Sequence, residues 1–92
     1  MENKKLYRIT INGRVQGVGF RRHAEREAIL RGLTGFVRNL DDGRVYIEAE
    51  GPGELLDDFL SWCGRGPALS RVRSVDVEKG IPEGYTEFRI EH

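Results

Sequence analysis

Gly13-Arg14-Val15-Gln16-Gly17-Val18-Gly19-Phe20-Arg21 joins an alternating apolar segment to a charged segment of helical character. Gly17 and Gly19 have no Cβ, so the backbone there can take positive φ and approach a ligand closely. Successive N–H groups in such a turn form a concavity for anions, and the chain then enters a helix whose first N–H groups are unpaired and partially positive. Arg21 opens that helix, and its guanidinium brings a permanent charge and a planar fork that fits two phosphate oxygens at once. The stretch predicts a strand, an anion-binding loop and a helix in succession. Val15, Gln16, Gly17, Val18, Gly19 and Phe20 form the phosphate-binding loop, and Gln16 shapes it. The loop lacks the Lys-Ser/Thr ending of a nucleotide P-loop, and its glycines do not fit G-x-G-x-x-G. On glycine spacing alone a plain connection with a surface arginine stays open.

Upstream, Leu6 to Asn12 alternates, with Tyr7, Ile9 and Ile11 on one side and Arg8, Thr10 and Asn12 on the other, the period of a half-buried strand. Downstream, Arg21 to Arg31 has no proline or internal glycine until Gly32, and Phe20, Ala24 and Ala28 fall on one thin helical stripe from which Ile29 points away. Leu33 to Leu40 is β-prone around Phe36 and Val37. Asp41-Asp42-Gly43 then supplies turn chemistry, and Arg44 to Glu50 alternates with Val45, Ile47 and Ala49 inward and Tyr46, Glu48 and Glu50 on a wet face. This is a hairpin.

Gly51-Pro52-Gly53 breaks the strand, with Pro52 suited to a helix start. Leu55, Leu56, Phe59, Leu60 and Cys63 follow at helical spacing, and Gly64 stands as the C-terminal cap. Ser70 to Lys79 returns to strand character; Val72 and Val75 differ in parity, so the strand begins late or carries a bulge. Thr86, Phe88 and Ile90 alternate with charged residues as a short final strand suited to an edge. The order βαββαβ plus one terminal strand predicts a ferredoxin-like α/β sandwich, an α+β fold with a mainly antiparallel sheet and both helices on one face.

Ninety-two residues suit one domain over 1–92 with a single modest core. Fifteen basic and fifteen acidic side chains cancel, leaving no long-range field to draw the chain to nucleic acid or an anionic membrane. No apolar run reaches the length of a membrane span, and Met1 to Lys5 lacks the apolar stretch of a secretory signal, so the default is a cytoplasmic monomer. The one cysteine, Cys63, permits no internal disulfide and reads as a small buried hydrophobe; His23 and His92 read as surface histidines. Asp41 and Asp42 read as solvated turn residues, and Arg14, Arg22 and Arg38 as solvent-facing charges.

The loop sequence closely resembles the first signature of the acylphosphatase family. Gly35-Phe36-Val37-Arg38-Asn39, then Gly43-Arg44-Val45 and Gly51, resembles its second, with internal spacing intact. The likeness in length and element order covers essentially the whole chain. The resemblance implies the same ferredoxin-like fold and hydrolysis of acyl phosphates to a carboxylate and inorganic phosphate, without metal, cofactor or covalent intermediate. It also implies that Arg21 binds phosphate and Asn39 orients the attacking water. Read from the residues alone, Asn39 is equally a turn-adjacent asparagine that satisfies backbone groups. The residues do show that no Ser-His-Asp set, metal-ligand spacing or evident cysteine nucleophile accompanies the loop, so the substrate must supply much of its own reactivity. An acyl phosphate does, because its leaving group is a carboxylate. Two alternatives stand beside this reading. One is a noncatalytic acyl-phosphate or carbamoyl-phosphate binding module, and the other is a single-stranded RNA-binding domain, which shares the element order but needs exposed aromatics where Arg44 to Glu50 offers only Tyr46.

Overall fold

The first strand alternates apolar and polar side chains and is paired on both sides. In the computed structural model, which describes residues 3–92, β1 (Lys4–Arg14) is followed by α1 (Phe20–Leu30), β2 (Thr34–Asn39), β3 (Val45–Pro52), α2 (Gly53–Arg65), β4 (Arg71–Gly80) and β5 (Phe88–Glu91). The sheet runs β4-β1-β3-β2-β5. Every pairing is antiparallel except β2 with β5, which is parallel. This is the ferredoxin-like α+β arrangement expected from the element order, with the short fifth strand added beside β2.

The core lies between the sheet and the two helices. Tyr7, Ile9 and Ile11 from β1 and Val45, Ile47 and Ala49 from β3 are buried as their alternation requires, and they meet Phe20, Ala24 and Ala28 of α1 and Leu56, Phe59 and Cys63 of α2. Ile29 is left 57% exposed, as the thin stripe on α1 predicts. The helices touch where the Phe20 and Trp62 rings lie 5.4 Å apart. Trp62 is a core residue that the predicted stripe on α2 omits.

Two expectations are corrected and one open alternative is resolved. Gly64 does not cap α2. The helix continues to Arg65, and the cap is Gly66, whose φ of 66° suits glycine and whose N–H donates to the Trp62 carbonyl at 2.8 Å. The parity change in β4 is a bulge: the register against β1 slips between Asn12 and Gly13, opposite Ser74 and Val72, so Arg73 is the extra residue and both Val72 and Val75 pack on the core. The final strand is shorter than expected, leaving Thr86 outside it.

The outer face of β3 is not uniformly wet. Glu50 is 1% exposed, because the chain ahead of β5 folds over it. Its carboxylate accepts backbone N–H bonds from Glu83, Gly84 and Tyr85. Beside it the Tyr46 and Tyr85 hydroxyls both donate to Glu48, at 2.5 and 2.6 Å. Desolvation and these bonds hold the Tyr46 phenol up at about 12. Alternation shows which way a side chain points but not what later covers it. Glu50→Ala removes the acceptor for three N–H groups, so unfolding in urea is expected to report a loss on the order of 2 to 3 kcal/mol, with faster amide exchange at Gly84 and Tyr85.

Candidate active site

Strand register brings the two quoted segments together. Ile11 of β1 and Asn39 of β2 both pair with Val45 of β3, so the three residues form one row across the sheet. Asn39 thus lies two strand spacings from β1, roughly 10 Å. Residues directly opposite share a face, so Asn39 turns toward the helices with Val37, whereas Arg38 turns to the outer face. There its guanidinium sits 5.8 Å from the Phe36 ring centroid and 5.5 Å from that of Tyr46.

β1 runs past this row to Arg14 and passes into the loop at Val15, which is buried. Gly17 and Gly19 have φ of 74° and 78°, the conformation that makes glycine the suitable residue at both points. Gly19 is the N-cap of α1, and its carbonyl accepts the His23 N–H at 3.1 Å and lies 2.8 Å from His23 Nδ1. The loop is fastened at three points. Val18 packs on the core, Phe20 is buried against Trp62, and Gln16 Nε2 donates to the carbonyls of Leu40 and Arg44 at 2.8 and 2.9 Å. Gln16 therefore ties the loop to the β2–β3 turn, the shaping role expected for it.

Between loop and turn lies a cleft of about 440 Å³. Val15, Gln16, Gly17, Gly19, Phe20, Arg21 and Asn39 line it; Val18 does not, since its side chain is spent on the core. Arg22, His23, Ile90 and His92 complete the lining; sequence reading took Arg22, His23 and His92 as surface residues and Ile90 as part of the edge strand, and placed none of them at the loop. Arg22 and His23 could have been found from their place on the first turn of α1. Ile90 and His92 had no local signal, because they arrive through the parallel pairing of β5 with β2.

Among the described residues, no Asp or Glu side chain lines the cleft. The carboxylates that pair with arginines do so elsewhere. Glu27 and Asp58 hold Arg31, each at 2.7 Å, and Asp42 holds Arg44 at 2.8 Å. The Arg44 N–H and guanidinium keep the exposed Asp42 carboxyl below its usual range, in the turn role expected of it. Arg21, in contrast, pairs with no carboxylate among the described residues: its Nη1 donates to the Glu91 carbonyl at 3.2 Å and lies 3.3 Å from His92 Nδ1. Cys63 is fully buried in the core, where desolvation pushes its thiol up and away from thiolate chemistry.

The fold and this acid-free cleft define a small two-layer α+β protein with a cleft lined by a glycine loop and Arg21 at the end of its first strand. The acylphosphatase family model matches residues 7–90. An acylphosphatase of Methylococcus capsulatus is 49% identical over 87 residues, covering 94% of this chain and 95% of that one. The crystal structure of acylphosphatase from Bacillus subtilis superposes with a TM-score of 0.94 at 44% identity, covering 96% of this chain and 99% of that one. Full-length HypF in its phosphate- and nucleotide-bound form matches at a TM-score of 0.90 and 28% identity, over 100% of this chain but 12% of that one. The chain belongs to the acylphosphatase family.

Gln16→Ala frees the loop from the hairpin turn at a cost of about 1 kcal/mol of stability. Its activity is expected to fall several-fold, since loop N–H groups that wander no longer present one anion cradle, and parallel steady-state rates and thermal melts on the variant check both effects.

Proposed function

We propose that this chain is an acylphosphatase that holds the phosphoryl group of an acyl phosphate with Arg21 and the Val15–Phe20 loop and places the attacking water with Asn39. The observation that carries this reading is the single cleft, which Arg21 and the glycine loop line from the helix side and Asn39 from the hairpin side.

The chemistry asks little of the protein beyond this. The water oxygen forms a bond to phosphorus as the bond from phosphorus to the acyl oxygen breaks, and both protons of the water end on the released phosphate. The carboxylate leaves as a weak base whose acid has a pKa of about 4, so no general acid is required. Phosphoryl transfer is catalysed chiefly by positioning and by stabilising charge on the equatorial oxygens. A guanidinium fork and inward N–H groups supply that charge. The Asn39 carboxamide can accept one hydrogen bond from the water and donate another, which orients it without deprotonating it.

The same proposal includes metal-independence, supported by the lack, among the described residues, of any three His, Cys, Asp or Glu side chains grouped as a metal site. It takes 1–92 as one acylphosphatase-like domain, although Met1 and Glu2 lie outside the described residues. A monomeric cytoplasmic enzyme without a nucleic-acid partner is consistent with the zero net charge; no described helix is long and apolar enough to cross a membrane. The acidic Glu48, which engages the Tyr46 and Tyr85 hydroxyls, makes the outer face unsuited to stacking bases.

Hydrolysis of an aromatic acyl phosphate, followed by absorbance with purified protein, tests the reading. Wild type is expected to exceed the buffer rate clearly; a rate equal to buffer would favour the noncatalytic binding module. Arg21→Ala is expected to lose on the order of 2 to 4 kcal/mol of transition-state stabilisation together with most of its affinity for inorganic phosphate. Asn39→Ala is expected to lower kcat by about a hundredfold while phosphate affinity changes little, the pattern of a contact used mainly in the transition state. Unimpaired turnover in folded Asn39→Ala would remove that residue from the mechanism.

A further inference from the structure

Arg21 reaches the cleft from the first turn of α1, and its guanidinium is held at one nitrogen only. Nη1 donates to the Glu91 carbonyl at 3.2 Å and lies 3.3 Å from His92 Nδ1. Both contacts fall to Nη1, whose two hydrogens can serve one acceptor each. Among the described residues Nε–H and the hydrogens of Nη2 meet no acceptor, and these form one edge of the guanidinium plane, the edge that can meet two phosphate oxygens in parallel.

Arg31 shows the alternative. Carboxylates of Glu27 and Asp58 engage its Nη1 and its Nε, which takes one donor of the corresponding edge and neutralises the charge. Anionic holders at Arg21 would compete with the substrate in the same way. A carbonyl and an imidazole, neither of them a carboxylate, hold the side chain and leave its charge available. Fixing matters because a free arginine has several rotatable bonds, whose ordering must otherwise be completed when ligand binds.

We propose that His92 is a positioning residue, which with the Glu91 carbonyl holds Arg21 by Nη1 so that its Nε–Nη2 edge faces the phosphoryl group. The inference rests on the reading of Arg21 as the phosphate ligand. It also gives β5 a task in the site, since that short strand delivers both acceptors.

Calorimetric titration with inorganic phosphate, together with kcat and KM for an aromatic acyl phosphate, tests it on wild type, His92→Phe, His92→Asn and Arg21→Ala. His92→Phe, which has no acceptor, is expected to weaken phosphate binding and raise KM by about 3- to 10-fold, the cost of ordering one long side chain on binding. His92→Asn presents an amide oxygen near the position of Nδ1 and is expected to stay within about twofold of wild type. Because His92 is exposed, melting temperatures are expected to match. Three results would overturn the proposal: His92→Phe binding as wild type does while Arg21→Ala loses phosphate, His92→Asn failing as badly as His92→Phe, or binding losses that track lowered melting temperatures. Arg21→Ala binding phosphate normally would instead defeat the reading of Arg21 beneath it.

Discussion

The row Ile11–Val45–Asn39 is the constraint on which the site depends. β3 lies between β1 and β2, so its pairing with each fixes how far the exit of one stands from the end of the other. A slip of one residue on either side would turn Asn39 to the outer face and bring Arg38 in. A slip between β2 and β3 would also expose Val37, and one between β1 and β3 would expose Val45 and Ile47; that hydrophobic cost keeps the register in place. Core burial thus does the work of aligning two polar segments more than twenty residues apart in the chain, with Gln16 joining loop to turn once they meet.

Charge is distributed by the same logic. The protein has as many acidic as basic side chains, yet no carboxylate lines the cleft among the described residues. Acids answer arginines on helix surfaces, in the hairpin turn and on the outer face of the sheet, where Arg8 meets Glu48 at 3.7 Å. Exposed pairs of this kind add little to stability. Their consequence here is local: with zero net charge there is no general attraction for anions, and the cleft keeps a cation, Arg21, with no carboxylate in its lining among the described residues.

Most of the fold was legible because its signals are local. Alternation in β1 and β3, the glycine and charge pattern before α1, and the Asp41-Asp42-Gly43 turn each specify an element from its own residues. Arg21, Gln16 and Asn39 stand in the two signatures and meet in the lining of one cleft, and parity alone already separates Asn39 from Arg38 once Val37 is taken as inward. What was missed depends on residues distant in sequence. Trp62 is buried because Phe20 arrives from α1, and Gly64 looked like a cap until Gly66 offered the left-handed turn two residues later. Glu50 has an outward position by alternation, yet it is buried because residues 83–85 close over it. His92 carries no pattern at all; its role follows from a strand that pairs in parallel across the sheet edge.

Glu50 and Arg21 lie on opposite faces of the sheet, but one segment connects them. The buried carboxylate gathers the N–H groups of Glu83, Gly84 and Tyr85, and this anchors the chain as it enters β5. β5 is only four residues long and pairs on one side, so its own ladder with β2 gives it little independent stability. Phe88 adds a buried aromatic against Phe59, at 6.3 Å between ring centroids, and fastens the strand from the core side. Between these two anchors the strand is held well enough to carry Ile90 and the Arg21 acceptors to the cleft. A carboxylate placed beside Arg21 could have anchored β5 more directly, but it would have cancelled the guanidinium charge in the cleft. Placing the buried acid on the far face secures the strand while leaving the guanidinium available.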